Sequence, residues 1–168
     1  MLEDLLSQAQ NIADQTEIFQ VTSRSTPVSF EANRLKSIDD RDSNGVALRI
    51  IKNGRIGFSS TTNMADMNGL VARAVEILPF GAKASMDFPP ASQYADIPTF
   101  DQETSDLKPE DIVETGSHII DKLHTEWPDV MWSANLSKTI ATTRLVNSSG
   151  CHAEETTSAV SIGIEGTL

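Results

Sequence analysis

The residues best suited to chemistry are histidines and the single cysteine. His118 and His124 lie six positions apart in a segment with a helical pattern. Six residues at 3.6 per turn rotate through roughly 600°, so the two side chains point about 120° apart. A zinc hydrolase needs ligands that converge, commonly two histidines on one helical face with a glutamate beside them. We therefore predict that His118 and His124 do not hold one metal ion.

Two other pairs are candidates for acid–base or nucleophilic chemistry. His118 and Asp121 are three positions apart and could meet on a helix surface, but a solvated polar pair is the simpler interpretation. Cys151 and His152 are adjacent, and neighbouring residues in a strand point to opposite faces, so a Cys–His pair is sterically poor. We predict no catalytic residue in this segment.

Cofactor sites are not supported either. Asp39, Asp40 and Asp42 surround Arg41 but lack the spaced ligands and the closing glutamate of a calcium loop, so we interpret them as a polar turn. The glycines at 54 and 57 lie in a hairpin rather than in a strand-to-helix phosphate loop. We expect neither a metal ion nor a nucleotide in this segment.

Composition indicates one ordinary globular domain. The chain has 168 residues, of which 39% are hydrophobic, and a formal net charge of −11. Such a charge works against direct nucleic-acid binding, which needs clustered Lys and Arg. An acidic surface that binds a basic partner stays open as an alternative.

The sequence also predicts where the protein works. No apolar run approaches the roughly 20 residues that span a bilayer, and the first six residues, Met1 to Leu6, are acidic where a secretory signal is basic. The lone Cys151 permits no internal disulfide. We expect a cytoplasmic protein without a membrane partner.

Hydrophobic periodicity predicts helices and grouped strands. Helical spacing covers residues 2–14, the segment from Asn63 to Pro79, and the segment from Pro109 to Trp127. Alternation predicts five strands between the first two helices and three after the last, with Phe19, Val21, Val28, Phe30, Val46, Leu48, Ile50, Ile56 and Phe58 as apolar positions. Asn44-Gly45 and Asn53-Gly54 are predicted to form tight turns.

This order predicts an α+β fold, with helices packed on one face of a largely antiparallel sheet. Two related helix-plus-sheet halves are expected at roughly residues 1–80 and 107–168, joined by a Pro-rich extended connection over 79–108. The strand and turn pattern from Arg34 to Phe58 is repeated from Arg144 to Ile164, but the second copy lacks the final hairpin. We therefore expect the chain to be part of a longer protein.

Small hydroxyl side chains line the predicted strands and leave a slim, polar surface. An edge of such a sheet could accept an extended peptide through main-chain hydrogen bonds, although exposed Ser and Thr are also ordinary strand residues. The residues concerned are Ser23, Ser25, Ser29, Ser59, Ser60, Thr61, Thr62, Thr139, Thr142, Thr143, Thr156 and Thr157.

Residues 23–37 and 45–61, together with the later Arg144 to Gly150, resemble the amino-terminal domain of the TldD/PmbA proteins. These were named modulators of DNA gyrase and are regarded as metallopeptidases. The resemblance implies a carboxy-terminal domain beyond this segment. In the TldD branch, that domain binds zinc through a His-Glu-x-x-x-His helix and a distant Cys. The motif is absent here, and Cys151 does not match that ligand.

The resemblance implies a scaffold and substrate-guiding domain, not catalytic by itself, in a peptidase acting on unfolded or short polypeptides. The full-length protein is expected to form a homodimer or a TldD/PmbA-type heterodimer, the PmbA branch lacking the zinc motif. The alternative hypothesis is a stand-alone acidic interaction module. A hydrolase built on His118 and Asp121 is the weakest of the three hypotheses.

Overall fold

The computed structural model describes residues 1–95 and 97–168. Its helices are α1 (Leu2–Gln10), α2 (Asn68–Ile77), α3 (Gln102–Asp106) and α4 (Pro109–Glu126). Its strands are β1 (Gln15–Glu31), β2 (Arg34–Ile38), β3 (Arg41–Lys52), β4 (Arg55–Thr61), β5 (Met131–Asn147) and β6 (His152–Thr167). Short 3₁₀ turns at Met64–Asp66 and Leu78–Phe80 flank α2.

The strands form a six-stranded sheet in the order β4-β3-β1-β5-β6, with β2 paired to β1. The β1–β2 and β3–β4 pairs are antiparallel, the latter in unbroken register from Val46↔Thr61 to Lys52↔Arg55. The predicted α+β class is confirmed.

Contacts divide the chain into two compact units whose segments interleave. Unit 1 comprises Met1–Thr22, Ser43–Ile97 and Thr142–Glu155, and unit 2 comprises Ser23–Asp42, Pro98–Ala141 and Thr156–Leu168. The division into halves at roughly 1–80 and 107–168 stays a prediction.

Unit 1 has its core between strands and the helices α1 and α2. Leu48 and Ile50 of β3 are fully buried against Leu70 and Ala74 of α2. Gly57 of β4 permits this approach, because a Cβ there would lie 2.2 Å from the Ala74 carbonyl oxygen. The register of α2 on β4 therefore depends on a glycine.

Unit 2 has a smaller core under α4. Phe30 packs with Ile120 and Leu136, and a Cβ at Gly116 would lie 2.2 Å from the Phe30 ring. The helix begins at Pro109, as the sequence predicts, and the Asp111 carboxylate accepts a hydrogen bond from the Lys108 N–H at 2.8 Å.

The tight turns were only partly predicted. Asn53-Gly54 does link β3 to β4, with φ of 50° and 69°. Asn44-Gly45 does not turn, since both residues lie inside β3. Positive φ occurs instead at Ala32 and Asn33, between β1 and β2. The Asn33 side chain stabilises that turn by accepting the Trp132 N–H at 2.8 Å.

The expected strand count and two of the apolar positions were wrong. The expected strands around Phe19 and Phe30 are one continuous β1, and β5 and β6 are the only strands described after α4. Phe19 is 42% exposed beside the fully buried Ile18, and Phe58 is 52% exposed beside buried Ser59. Both phenylalanines lie on the sheet face opposite to α1 and α2, since neighbouring strand residues point to opposite faces.

The Pro-rich connection is also more structured than expected. It contains α3, and Phe88 is 3% exposed rather than part of an unpacked loop. Residues 82–95, with all their described contacts inside unit 1, are called the strap below.

Candidate functional site

A shallow trough lies on the sheet face of unit 1 that α1 and α2 leave open. It encloses about 530 Å³ and is lined by Phe19, Val21, Gly45, Val46, Ala47, Ser60, Thr61 and Thr62. Its floor is apolar, from Phe19 and Ala47, and its rim carries the hydroxyls of Ser60 and Thr62. We call this surface the β4 trough.

The strand edge next to this trough already pairs with an extended segment. The strap lies along the first part of β4, where Ile56 N–H donates to the Ala82 carbonyl and Ala84 N–H donates to the Gly54 carbonyl, both at 2.9 Å. Backbone groups alternate in direction along a strand, so those of Phe58 and Ser60 point to the same outer edge. An extended chain can therefore continue the pairing past the strap.

The strap itself is fixed to the far end of this sheet face. Gln15 accepts the Phe88 N–H at 2.8 Å, and Arg49 lies 5.2 Å above the Phe88 ring while it pairs with the buried carboxylate of Glu17. The strap thus covers one end of this sheet face. The β4 trough, which includes the exposed Phe19, lies on the part of the face that the strap leaves open.

Asn147 ties the strap to the turn between β5 and β6. Its buried side-chain oxygen accepts the N–H groups of Ser149 and Cys151 at 2.9 and 3.0 Å, and its amide donates to the Pro89 carbonyl at 2.8 Å. Gly150 has φ of 90°, which favours glycine. The Asn-Ser-Ser-Gly passage thus has a structural role.

Tyr94 closes the strap by a hydrogen bond between its hydroxyl and the Sγ of Cys151, at 3.0 Å. This bond raises the pKa of Tyr94 above its ordinary value. Cys151 is 1% exposed and His152 is exposed, so the two do not share a face as a nucleophile and base would.

The histidines of α4 have separate environments. The His124 Nδ1 lies 3.3 Å from the Asn33 amide, and His118 borders a groove next to Ile164. The Asp121 carbonyl accepts the Thr125 hydroxyl at 2.7 Å. That His118 and Asp121 form no catalytic pair stays a prediction.

Asp39 and Asp40 connect β2 to β3 as the expected polar turn, and their neighbours occupy their carboxylates. Arg41 pairs with Asp39 at 3.3 Å, and the Thr26 hydroxyl donates to Asp40 at 2.9 Å. Asp42 pairs with Arg24 at 2.9 Å, which raises the pKa of Arg24. Each of the three carboxylates thus has a partner among the neighbouring side chains.

The described part of the chain contains no set of side chains arranged to bind zinc. No group of three or more His, Cys, Asp or Glu side chains lies close enough there to hold a metal ion.

The hydroxyl residues divide among several roles. Ser60, Thr61 and Thr62 line the β4 trough, whereas Ser59 is buried and donates to the Leu70 carbonyl at 2.7 Å.

Phe19 was missed as a surface residue because Ile18 beside it is also apolar, so alternation alone did not identify the buried face. The sequence feature that could have identified the buried face is Gly57, because it lies on the face of β4 that α2 covers.

No helix in residues 1–95 or 97–168 is both long enough and apolar enough to cross a bilayer.

The sheet and its helices define an α+β domain, and solved structures share its fold. TldE from Thermococcus kodakarensis matches with a TM-score of 0.83 at 16% identity, covering 98% of this chain and 42% of that one. A proposed modulator of a DNA gyrase from Thermotoga maritima matches with a TM-score of 0.77 at 14% identity, covering 99% and 43%. Another from Bacteroides thetaiotaomicron has a TM-score of 0.80 at 15% identity, covering 96% and 40%.

Residues 16–78 match the family model described as PmbA/TldA metallopeptidase domain 1. This match confirms the resemblance of these residues to the first domain of the TldD/PmbA family. The chain spans about two fifths of the length of those solved structures. No curated protein matches the chain.

Proposed function

We propose that this chain is the scaffold and substrate-guiding domain of a TldD/PmbA-type zinc-dependent peptidase that acts on unfolded or short polypeptides. The observation that carries the proposal is the match of residues 16–78 to the first domain of a metallopeptidase family. A cytoplasmic location is part of the proposal. So is pairing with a second copy or with a related subunit.

The guiding surface in this proposal is the β4 trough with its strand edge. The strap demonstrates that the edge of β4 binds an extended segment, because Ala82 and Ala84 pair there through their backbones. Main-chain pairing tolerates many sequences, which suits a peptidase for unfolded chains. Phe19 and Ala47 would contact alternate side chains of the bound peptide.

Hydrolysis is assigned to another part of a longer polypeptide. His118 and His124 have separate environments on α4, and Cys151 is buried beneath Tyr94 of the strap. Their separation supports placing the catalytic groups in that other part. Zinc, where the TldD branch applies, would polarise the scissile carbonyl and activate water in that other part.

A matched pair of substitutions in the longer polypeptide tests this proposal. Phe19→Ser removes the apolar floor of the trough, while Phe80→Ser removes a ring that is 87% exposed and not part of the trough lining. Hydrolysis of a fluorogenic unfolded peptide should show KM raised about three- to tenfold by Phe19→Ser with kcat little changed, since uniform binding is lost. Phe80→Ser should leave both constants near wild type.

The 168-residue chain alone should hydrolyse no peptide. Hydrolysis by this chain that disappears in His118→Ala would overturn the proposal and favour the independent hydrolase. Equal KM values in Phe19→Ser and wild type would remove the trough from the substrate path.

The alternative is a stand-alone acidic interaction module, which the net charge of −11 favours. It predicts tight, salt-sensitive binding of a basic protein by the 168-residue chain, together with no peptide hydrolysis by any longer form. Titration with a lysine-rich peptide at low and high salt separates the two functions.

A further inference from the structure

The outer part of β6, in unit 2, presents an apolar row to solvent. Val160, Ile162 and Ile164 are 46%, 50% and 48% exposed. They share their sheet face with Gly166, where a Cβ would lie 2.7 Å from the Trp132 ring. Ser161 points the other way and lies 2.9 Å from the Ser137 hydroxyl. The row therefore lies on the face of unit 2 against which α4 packs.

A groove runs between this row and the flank of α4. Its volume is about 440 Å³, and Ile119, Leu123 and Trp127 line it opposite Ile164. Ile119 and Leu123 are half-buried and Trp127 is 50% exposed. We call this surface the α4–β6 groove. Contiguous exposed apolar side chains of this kind mark interaction surfaces.

Unit 1 shows how the same kind of edge strand is covered. There α2 lies on β4, with Leu70 and Ala74 fully buried and the Ser59 hydroxyl bonded to the Leu70 carbonyl. In the chain, α2 follows the edge strand β4 and packs back on it, whereas α4 precedes β5 and β6. Among the described residues, no helix takes the corresponding position on β6.

We propose that the α4–β6 groove binds an amphipathic helix from another part of the longer polypeptide, and that this helix lies on β6 as α2 lies on β4. The inference rests on the proposed function, which assumes that longer polypeptide. The solved relatives support it, because the chain covers 42% or 43% of the two from Thermococcus and Thermotoga and more than half of each lies outside the match.

A helix fits this surface better than a strand does. The exposed side chains of Val160, Ile162 and Ile164 project from the sheet face, where an apolar helical stripe would cover them together with Leu123. A strand added at the edge would pair with the backbone and leave this row exposed.

Thiol labelling gives a matched test, since Cys151 is the only native cysteine of the chain and is 1% exposed. Ile162→Cys places a thiol in the apolar row of β6, beside the groove that Ile164 lines, and Ile77→Cys places one on α2 at a position with similar exposure, 47% against 50%. In the 168-residue chain, both thiols should react with a maleimide at similar rates. In the longer polypeptide, Ile162→Cys should react at least about tenfold more slowly, because covered sites react only on opening. Ile77→Cys should not change.

Hydrogen exchange distinguishes the type of cover. Ser158 N–H donates outward to the Thr99 carbonyl, so the N–H groups of Val160 and Ile162 point to the same outer edge. A helix on the face should leave these amides exchanging quickly in the longer polypeptide. Strong protection of both amides would identify a strand and overturn the proposal.

Two further outcomes would overturn the proposal. One is equal labelling of Ile162→Cys in the short and long polypeptides. The other is protection that appears in the 168-residue chain itself as its concentration rises, which would identify a second copy. Peptide hydrolysis is measured separately. Thiol protection without hydrolysis would support the helix in the groove and reject the peptidase role. Hydrolysis without thiol protection would support the peptidase role and reject the helix in the groove.

Discussion

Units 1 and 2 both combine helices with antiparallel strands, but their edge strands are covered differently. Unit 1 covers β4 with α2 on one face and pairs its edge with the strap. Unit 2 packs α4 against Phe30 and Leu136 and leaves the apolar row of β6 exposed. The difference is that a helix of the chain covers one face of β4, whereas no helix among the described residues covers the apolar row of β6.

The cores differ in the same sense. Of the described residues, fourteen buried ones form the core cluster of unit 1 and six form that of unit 2. When a core side chain of unit 1 is truncated, more buried neighbours hold the resulting cavity open. In unit 2, the side chains around a truncated residue can move toward the α4–β6 groove and reduce the cavity. Substitutions of increasing subtlety test this contrast.

Core truncation should have the largest effect. Leu48→Ala in unit 1 and Ile120→Ala in unit 2 each remove a side chain that is at most 2% exposed. We expect Leu48→Ala to lower the free energy of unfolding by about 3–5 kcal/mol and Ile120→Ala by about 2–3 kcal/mol, because the cost grows with the cavity that remains. Urea unfolding followed by far-UV circular dichroism measures both. An equal or larger loss in Ile120→Ala would contradict the contrast.

The strap should show the next largest effect. Asn147→Ala leaves the N–H groups of Ser149 and of the buried Cys151 without their acceptor, and it also removes the donor to Pro89. We expect a loss of about 2 kcal/mol in the free energy of unfolding, together with faster proteolysis within residues 82–95. Ser149→Ala, which keeps the backbone N–H, is the control. Unchanged proteolysis of the strap would refute its dependence on Asn147.

A smaller effect is expected where unit 2 holds its own loop. The Lys138 ammonium donates to the carbonyls of Ser105 and Leu107 at 3.0 and 2.5 Å, next to the end of α3. Lys138→Met should cost about 1 kcal/mol of unfolding free energy, since a charge-assisted pair is lost from a half-exposed site. Lys83→Met, at an exposed position, serves as the control. Thermal unfolding of both variants decides whether this contact holds the loop.

The subtlest test is the titration of Tyr94, the single tyrosine of the chain. The bond to Cys151 raises its pKa, so absorbance at alkaline pH should give a midpoint above the ordinary value of about 10. Cys151→Ala should lower that midpoint. Because the protonated form is favoured in the folded state, this contribution to stability is present below pH ~10 and is lost as the pH rises through the pKa of the folded protein. A midpoint at the ordinary value would show that the strap is not closed there.

Local signals predicted α2 and α4 because capping and chain breaks act within a few residues. Asn63 accepts the Ala65 N–H at the start of the helical segment, Pro109 opens α4, and α4 ends before Pro128. The hairpin at Asn53-Gly54 was equally local, since its glycine adopts a positive φ. The α+β class followed from the order of these elements.

Long-range packing decided what the sequence could not predict. Asn44-Gly45 lies inside β3, directly before the point where pairing with β4 begins at Val46↔Thr61. The β4 trough was missed because Phe19 and Ile18 are both apolar, and the choice between them depends on which face α1 and α2 cover. The strap joins Gln15 to Asp87 and Phe88, contacts that no local pattern encodes.

Asn147 also bears on the order in which the chain folds. Its contacts to Ser149 and Cys151 span two and four residues, whereas its contact to Pro89 spans 58. Closing a long loop costs more chain entropy than forming a tight turn, so the turn after β5 is expected to form before the strap docks on it. A nascent chain would therefore carry residues 89–95 without their partners Asn147 and Cys151 until β5 and its turn had emerged.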